Sequence, residues 1–323
     1  MRLLKRQSAP GTQAPTPQQQ SELFDEALLT QVRRLSLTPR SIRSSGLAGE
    51  HRSLRRGSSP EFADFKSYSI GDDFRRIDWN IYSRLGTLFV RLSEVTTDIS
   101  VHILIDASES MAWSGLSQRR SKFTAARQLA GLLAYLALQR FDRVSITSFD
   151  QALGPSYGPA QGRSSIQPML GYVTGLRTGG ATNLSRILEH YLLARKRPGF
   201  LLLISDLLSG EPEELAATLR AYRARGWEIA ILHVVDPAER DPALMAAEID
   251  ERGAIDLVDI ESQERLRIAL TDEVIERCRE AVRTWREAVE QACRDERVLL
   301  IPIQTDRPMS ETLRQLTDAG VLG

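Results

Sequence analysis

The 323-residue sequence predicts an α/β fold, a central and mainly parallel sheet with helices on both faces. Two observations predict it: from residue 101 onward there are short runs that are apolar throughout, and these alternate with amphipathic helical patterns. Strands apolar on both sides and joined by helices belong in a parallel sheet covered on both faces. A third observation concerns use of the fold. Oxygen-bearing side chains follow directly on two of the apolar runs, and such sheets bind ligands at the carboxyl ends of their strands.

The elements follow from spacing and end signals. Residues 7–20 are rich in Gln, Pro, Ser and Thr and lack large apolar side chains, so 1–20 is expected to be a disordered tail. Leu23, Phe24, Ala27, Leu28, Gln31 and Leu35 give a helical spacing over 22–35, and a basic Ser/Gly-rich loop follows over 40–59. Residues 60–68 read as extended, Gly71-Asp72-Asp73 as a turn, and 75–82 as a short helix. Runs 88–95 and 99–105 read as two strands joined in a hairpin at Thr96-Thr97-Asp98. Strands are then expected at 101–105, 144–149, 200–205 and 227–235, with helices at 122–140, 166–176, 184–195 and 212–225. The last of these has Pro212 in its first turn, Glu213 and Glu214 at its start, Arg223 and Arg225 at its end and Gly226 beyond. Those charges suit a helix dipole. Downstream, a hairpin is expected around Glu251-Arg252-Gly253, a long helical stretch over 263–293, a strand at 298–303 and a helix at 310–319. The implied organisation is a tail (1–20), an N-terminal helix, basic loop and β-containing segment (21–98), the α/β domain (99–240) and a C-terminal extension packed on it (241–323).

Lys+Arg and Asp+Glu both number 42. Bulk charge therefore gives no case for a nucleic-acid or membrane-surface binder. Residues 1–60 hold ten Lys/Arg against four acids, a local excess of six positive charges. No apolar run reaches the roughly 20 residues a bilayer requires, and no signal peptide follows the basic start. Cys278 and Cys293 stand fifteen residues apart in one helical stretch. That is a rise of roughly 22 Å, beyond the disulfide limit of about 7 Å between Cα atoms. Two reduced, buried thiols are expected, as in a cytoplasmic protein.

The chemistry concentrates in Leu104-Ile105-Asp106-Ala107-Ser108-Glu109-Ser110-Met111. Asp106, Ser108 and Ser110 form a D-x-S-x-S pattern at the end of an apolar strand. A carboxylate and two hydroxyls there turn oxygens toward one place, and hard cations such as Mg²⁺ take oxygen ligands. Thr182, in Gly179-Gly180-Ala181-Thr182-Asn183, adds a hydroxyl on a turn entering a helix. Asp206 adds a second carboxylate at another strand end. Mg²⁺ or Mn²⁺ held mostly by hydroxyls keeps an open, electrophilic position that can take a carboxylate from a partner protein. The competing reading of each residue is a helix cap, where Asp and Ser are favoured. The alternating acids and arginines of 72–78 read as an internal ion-pair cluster. His51, His102, His190 and His233 show no metal-ligand spacing.

D-x-S-x-S, a loop Thr and a later strand-end Asp resemble the metal-ion-dependent adhesion site of von Willebrand factor A domains. Asp106, Ser108 and Ser110 match its first motif, Thr182 its second and Asp206 its third. The run Gly71-Asp72-Asp73-Phe74-Arg75-Arg76-Ile77-Asp78-Trp79, preceded by Glu61-Phe62-Ala63-Asp64 and Tyr68, resembles the domain-of-unknown-function 58 family over roughly residues 45–320. Ala181 stands where that family often has a third glycine. The resemblance implies a von Willebrand A-like, Rossmann-type sheet with an N-terminal β-containing segment and a C-terminal helical extension. It implies a non-catalytic, metal-dependent interaction module, often encoded beside MoxR-type AAA+ ATPases. Two other readings stand beside it. One is a metal-dependent phosphohydrolase or phosphotransferase using Asp106, although Ser108 occupies the place of the second acid in the D-x-D pattern of such enzymes. The other is a scaffold with a vestigial metal site whose basic N-terminal region binds an acidic partner.

Overall fold

The structure is a computed structural model that describes residues 28, 30, 32–33, 35–39, 64–69, 74, 77–92, 99–115, 120–241, 243–244, 254–258, 265–269 and 271–323. The chain divides into two compact units, residues 45–98 and the remainder. The expected tail, the basic loop and the Gly71-Asp72-Asp73 turn lie outside the described residues.

In the smaller unit, β1 (Asp64–Ser67) pairs antiparallel with β2 (Phe89–Leu92). Between them runs α1 (Trp79–Leu85). The Asp78 carboxylate accepts from the Asn80 and Ile81 amides at 2.9 and 3.2 Å, so this cap starts the helix at Trp79 and not at the expected residue 75. Gly86 ends it at φ 64°, a left-handed conformation that glycine adopts without cost. The expected hairpin between 88–95 and 99–105 is not formed. β2 pairs with β1, and the strand from residue 100 has both edges taken by other partners.

The larger unit is built on six strands: β3 (Ser100–Asp106), β4 (Arg143–Phe149), β5 (Leu153–Ala160), β6 (Phe200–Ser205), β7 (Glu228–Val235) and β10 (Leu299–Gln304). Their order is β10-β7-β6-β3-β4-β5. All pairings are parallel except that of β5, which returns antiparallel against β4. The crossover helices are α2 (Lys122–Gln139), α3 (Ile166–Gly175), α4 (Leu184–Ala194), α5 (Pro212–Ala224) and α7 (Asp272–Asp295). A single-turn α6 (Pro237–Arg240) follows β7, and α8 (Met309–Asp318) follows β10.

The period-2 pleat decides which face each side chain serves. On one face, Val101, Ile103 and Ile105 of β3 and Phe200, Leu202 and Ile204 of β6 join Leu129, Leu133 and Leu136 of α2 in one core. On the other, Leu104, Leu201 and Leu203 join Leu188 and Tyr191 of α4 and Leu219 and Tyr222 of α5. β3 and β6 are buried along nearly their whole length, as a doubly covered sheet demands.

Three segments differ from the sequence expectation. β5 was not anticipated, because Leu153-Gly154-Pro155-Ser156-Tyr157-Gly158-Pro159-Ala160 carries two glycines and two prolines. An edge strand tolerates proline because one row of its backbone groups needs no partner. Gly158, at φ 85°, lies against β4 so closely that a Cβ would stand 2.3 Å from the Val144 carbonyl oxygen. The downstream hairpin pairs β8 (Ala254–Val258) with β9 (Arg265–Ala269), so Glu251-Arg252-Gly253 precedes it rather than forming its turn. The long helix correspondingly begins only at Asp272, where the Thr271 hydroxyl accepts from the Val274 amide. Both cysteines sit on α7 and are free, but only Cys293 is buried; Cys278 is exposed.

On β3, the His102 Nδ1 stands 2.8 Å from the Tyr191 hydroxyl, and its ring meets Trp227 edge-on at 4.8 Å. Burial, with the Arg195 charge in support, lowers its pKa to about 4. The unfolded chain then binds this proton first as pH falls below the ordinary value of about 6.5. Its contribution to stability is full above that pH and shrinks as pH drops toward 4. His102→Asn is expected to remove about 2 kcal/mol of the stability difference between pH 7 and pH 5, measured by urea unfolding.

A candidate oxygen-rich site at the switch point of the sheet

Strand order reverses direction at β3. The chain passes from β3 to β4 on one side and later to β6 on the other. In open α/β sheets the crevice outside the carboxyl ends at such a switch point is where ligands bind. Ile105 of β3 is in register with Ile204 of β6. The next residues, Asp106 and Ser205, therefore leave adjacent strands together at that crevice.

Asp106 is fully buried. Its Oδ1 accepts from the Ser108 amide at 3.0 Å and the Ser108 hydroxyl at 2.7 Å. Its Oδ2 accepts from the Ser205 hydroxyl at 2.6 Å. Ser108 and Ser110 hydroxyls stand 3.0 Å apart, on the approach to a short 3₁₀ turn over Glu109–Ala112. Because the Ser108 proton goes to Asp106, Ser110 is the donor in that contact. The Asp106 carboxyl is pushed up to about 7, first by burial and then by the neighbouring Asp206 carboxylate. Three hydrogen bonds to the charged form offset only part of this rise.

The loop bearing Thr182 is fastened to the Asp106 turn. The Gly179 amide donates to the Ala107 carbonyl at 2.8 Å, and the Glu109 amide donates to the Gly180 carbonyl at 2.9 Å. The Thr182 hydroxyl donates to the Asp150 carbonyl at 2.8 Å, which leaves its oxygen with acceptor capacity only. Asn183 caps α4 beside it.

Asp206 is engaged differently from the other four. Its Oδ2 takes a 2.7 Å contact from the Lys122 ammonium, whose side chain is 0% exposed. The same ammonium reaches Glu239 of α6 at 2.5 Å. Burial would lower the Lys122 pKa, yet Asp206 and Glu239 outweigh it and hold it above its ordinary value. Glu239 also closes the capping box of α6, accepting from the Asp236 amide at 3.1 Å. Asp236 in turn accepts from the Thr305 hydroxyl at 3.0 Å beyond β10. One polar chain thus runs along the carboxyl edge of the sheet, from β6 to β10.

Asp106, Ser108 and Ser110 are joined directly. Thr182 sits on the loop pinned to their turn, and Asp206 lies close enough to raise the Asp106 pKa while pairing with Lys122. Among the described residues, no group of three or more His, Cys, Asp or Glu side chains forms a metal-binding cluster. Any metal reading therefore rests on hydroxyls. The donor set suits a hard cation: every group is oxygen, and two buried carboxylates repel each other. Lys122 already supplies one positive charge to Asp206, whereas Asp106 has hydroxyl and amide partners only.

Sequence reasoning missed Ser205, Lys122 and Glu239. Lys122 did leave a signal. It follows the Ser121 cap directly, and a lysine in a first helical turn opposes the dipole unless acids from elsewhere compensate.

Fold and site together define a doubly wound α/β protein with an oxygen-rich crevice at its switch point. Its sequence matches, over residues 64–289, the family described as "Protein of unknown function DUF58", and the chain belongs to that family. Among its relatives are uncharacterized proteins of Mycobacterium bovis and Mycobacterium tuberculosis. Each is 25% identical over 258 residues, which cover 79% of this chain and 77% of theirs. Two crystal structures are more distantly similar. Manganese-loaded Plasmodium vivax TRAP protein aligns at 14% identity and a TM-score of 0.32, over 42% of this chain and 56% of its own. An uncharacterized membrane spanning protein from Vibrio fischeri aligns at 14% identity and a TM-score of 0.20, over 68% and 96%. In the present chain no helix among the described residues is long and apolar enough to cross a membrane.

Lys122→Met would leave Asp206 and Glu239 without their shared counter-charge. It is expected to cost about 3–5 kcal/mol in urea unfolding, as for other buried pairs broken on one side. Combining it with Asp206→Asn should recover part of that loss, giving a non-additive cycle.

Proposed function

We propose that the protein is a non-catalytic, metal-dependent interaction module that docks a partner protein through Mg²⁺ or Mn²⁺ at the switch-point crevice. The observation that carries the reading is the convergence of Asp106, Ser108, Ser110 and the Thr182 loop on one place. The raised Asp106 pKa supports it, because a cation there would relieve both burial and the repulsion from Asp206. Asp106, Ser108, Ser110 and Thr182 would hold the ion, and Asp206 would act beside them through its charge. When bound, the ion supplies an open electrophilic position for a carboxylate of the partner. The chain's own part is to fix that position. Asp106 is anchored by Ser205, and the Thr182 loop is fastened to the Asp106 turn by backbone bonds.

The family resemblance leads us to propose a MoxR-type AAA+ ATPase as partner, in protein or complex maturation. That step is an analogy rather than a property of the site. No catalytic residue is assigned, since Ser108 stands where an Asp-x-Asp phosphohydrolase requires its second acid.

Titration calorimetry of the metal-free protein with Mg²⁺ and with Mn²⁺ tests the reading. Wild type is expected to bind, with at least a tenfold loss in both Asp106→Ala and Asp106→Asn. Metal at 100 times its Kd should add about 2.7 kcal/mol to unfolding stability. Equal binding by wild type and both variants would refute the assignment. Capture of the MoxR-type ATPase by immobilised protein should disappear with EDTA.

A further inference from the structure

A second feature lies on the same carboxyl edge, away from Asp106. A cavity of about 550 Å³ opens where β7 and β10 end, between α6, α7 and the loop after β10. Arg240, Arg279, Arg283, Arg286 and Arg307 all line it. These five come from three separate segments, so the concentration is not an accident of one basic run. Arg279, Arg283 and Arg286 fall at i, i+4 and i+7 of α7 and share one face of that helix. Arg120 secures the loop bearing Arg307, donating to the Thr305 and Arg307 carbonyls at 3.2 and 3.0 Å.

Three carboxylates also line the cavity, and each is already engaged. Asp236 is fully buried and engaged by the Ala238 amide and the Thr305 hydroxyl. Asp241 accepts from Arg279 at 3.0 Å, and Asp306 faces Arg120. Among the lining residues the arginines exceed the acids by two. Arg279, Arg283 and Arg286 also pair along α7 with Glu276, Glu280, Glu287 and Glu290, and Arg307 pairs with Glu311 of α8, all between partly exposed groups. Pairs of that kind are worth little in water, and an incoming carboxylate can replace them.

We infer that this cleft is a docking site for an acidic, extended peptide segment of a partner protein. The spacing selects the occupant. Four residues along a helix rise about 6 Å, and two residues of an extended strand span about 6.6–6.8 Å. Once their exposed pairs with Asp241, Glu276 and Glu280 are exchanged, Arg279 and Arg283 match acids at alternate positions of an extended chain. The guanidinium fork binds carboxylates in pairs of parallel hydrogen bonds. Val235, Pro237, Leu244 and Val282 supply apolar wall for the residues between those acids. The inference concerns the same edge as the proposed metal site but does not require a metal.

The test uses the full chain in EDTA and a fluorescently labelled seven-residue peptide alternating Glu and Ala, followed by anisotropy. Wild type is expected to bind it, and more weakly as salt rises. Arg283→Glu with Arg286→Glu should weaken binding at least tenfold, and Arg283→Gln about threefold. Arg143→Glu, at the opposite, amino edge of the sheet, should bind like wild type. Absence of binding by wild type would overturn the inference. So would an equal loss in Arg143→Glu, or binding of inorganic pyrophosphate without binding of the peptide. Binding that appears only with Mg²⁺ and vanishes in Asp106→Ala would also overturn it, by moving the contact to the oxygen site.

Discussion

The buried ammonium of Lys122 is the constraint on which the working edge of this protein depends. It is fully enclosed, and a lone charge there would be excluded at large cost. Asp206 and Glu239 make it tenable, and in doing so they fix three elements at once: the start of α2, the end of β6 and the single turn of α6. The arrangement is reciprocal. Asp206 stands close enough to Asp106 to raise its pKa, and without Lys122 the Asp206 carboxylate would have no counter-charge beside it. The lysine sets how much negative charge the crevice retains, and therefore how strongly it would attract a cation.

The sheet converts this local chemistry into position. β3 and β6 are adjacent and parallel, so their carboxyl ends advance together. The reversal of strand order there sends the crossovers to opposite sides of the gap. Residues one step past the last ladder pair, Asp106 and Ser205, are drawn to 2.6 Å although 99 residues separate them in the chain. The hydroxyl-rich turn after Asp106 then needs only two backbone hydrogen bonds to hold the Thr182 loop against it.

Much of this was legible in the sequence because burial on both faces writes continuous apolar runs, as in Val101–Ile105 and Phe200–Ser205. Asp106, Ser108, Ser110 and Asp206 drew notice because they follow such runs, and Thr182 because it stands on a glycine turn entering a helix. What escaped has physical reasons. β5 is an edge strand, whose proline and glycine content reads as loop. The 263–271 segment was absorbed into a helical expectation, although Arg265-Leu266-Arg267-Ile268-Ala269 alternates with the period of a strand. Lys122 escaped because its one local sign, a lysine in a first helical turn, names no partner, and Glu239 because pairing across 117 residues has no local signature. The pairing of β2 escaped for the same reason, since proximity in sequence favoured β3.

Both borders of the central sheet carry proline. In β5 the Pro155 carbonyl receives the Tyr172 hydroxyl at 2.6 Å, and in β10 the Pro302 carbonyl receives the Gln315 side-chain amide at 3.0 Å. A strand from another molecule seeking to extend the sheet would meet missing donors and already occupied acceptors on either side. Growth of the sheet by lateral addition is thereby discouraged. The groups left open to contact are then the side chains displayed at the strand tips, selective in chemistry and limited in number.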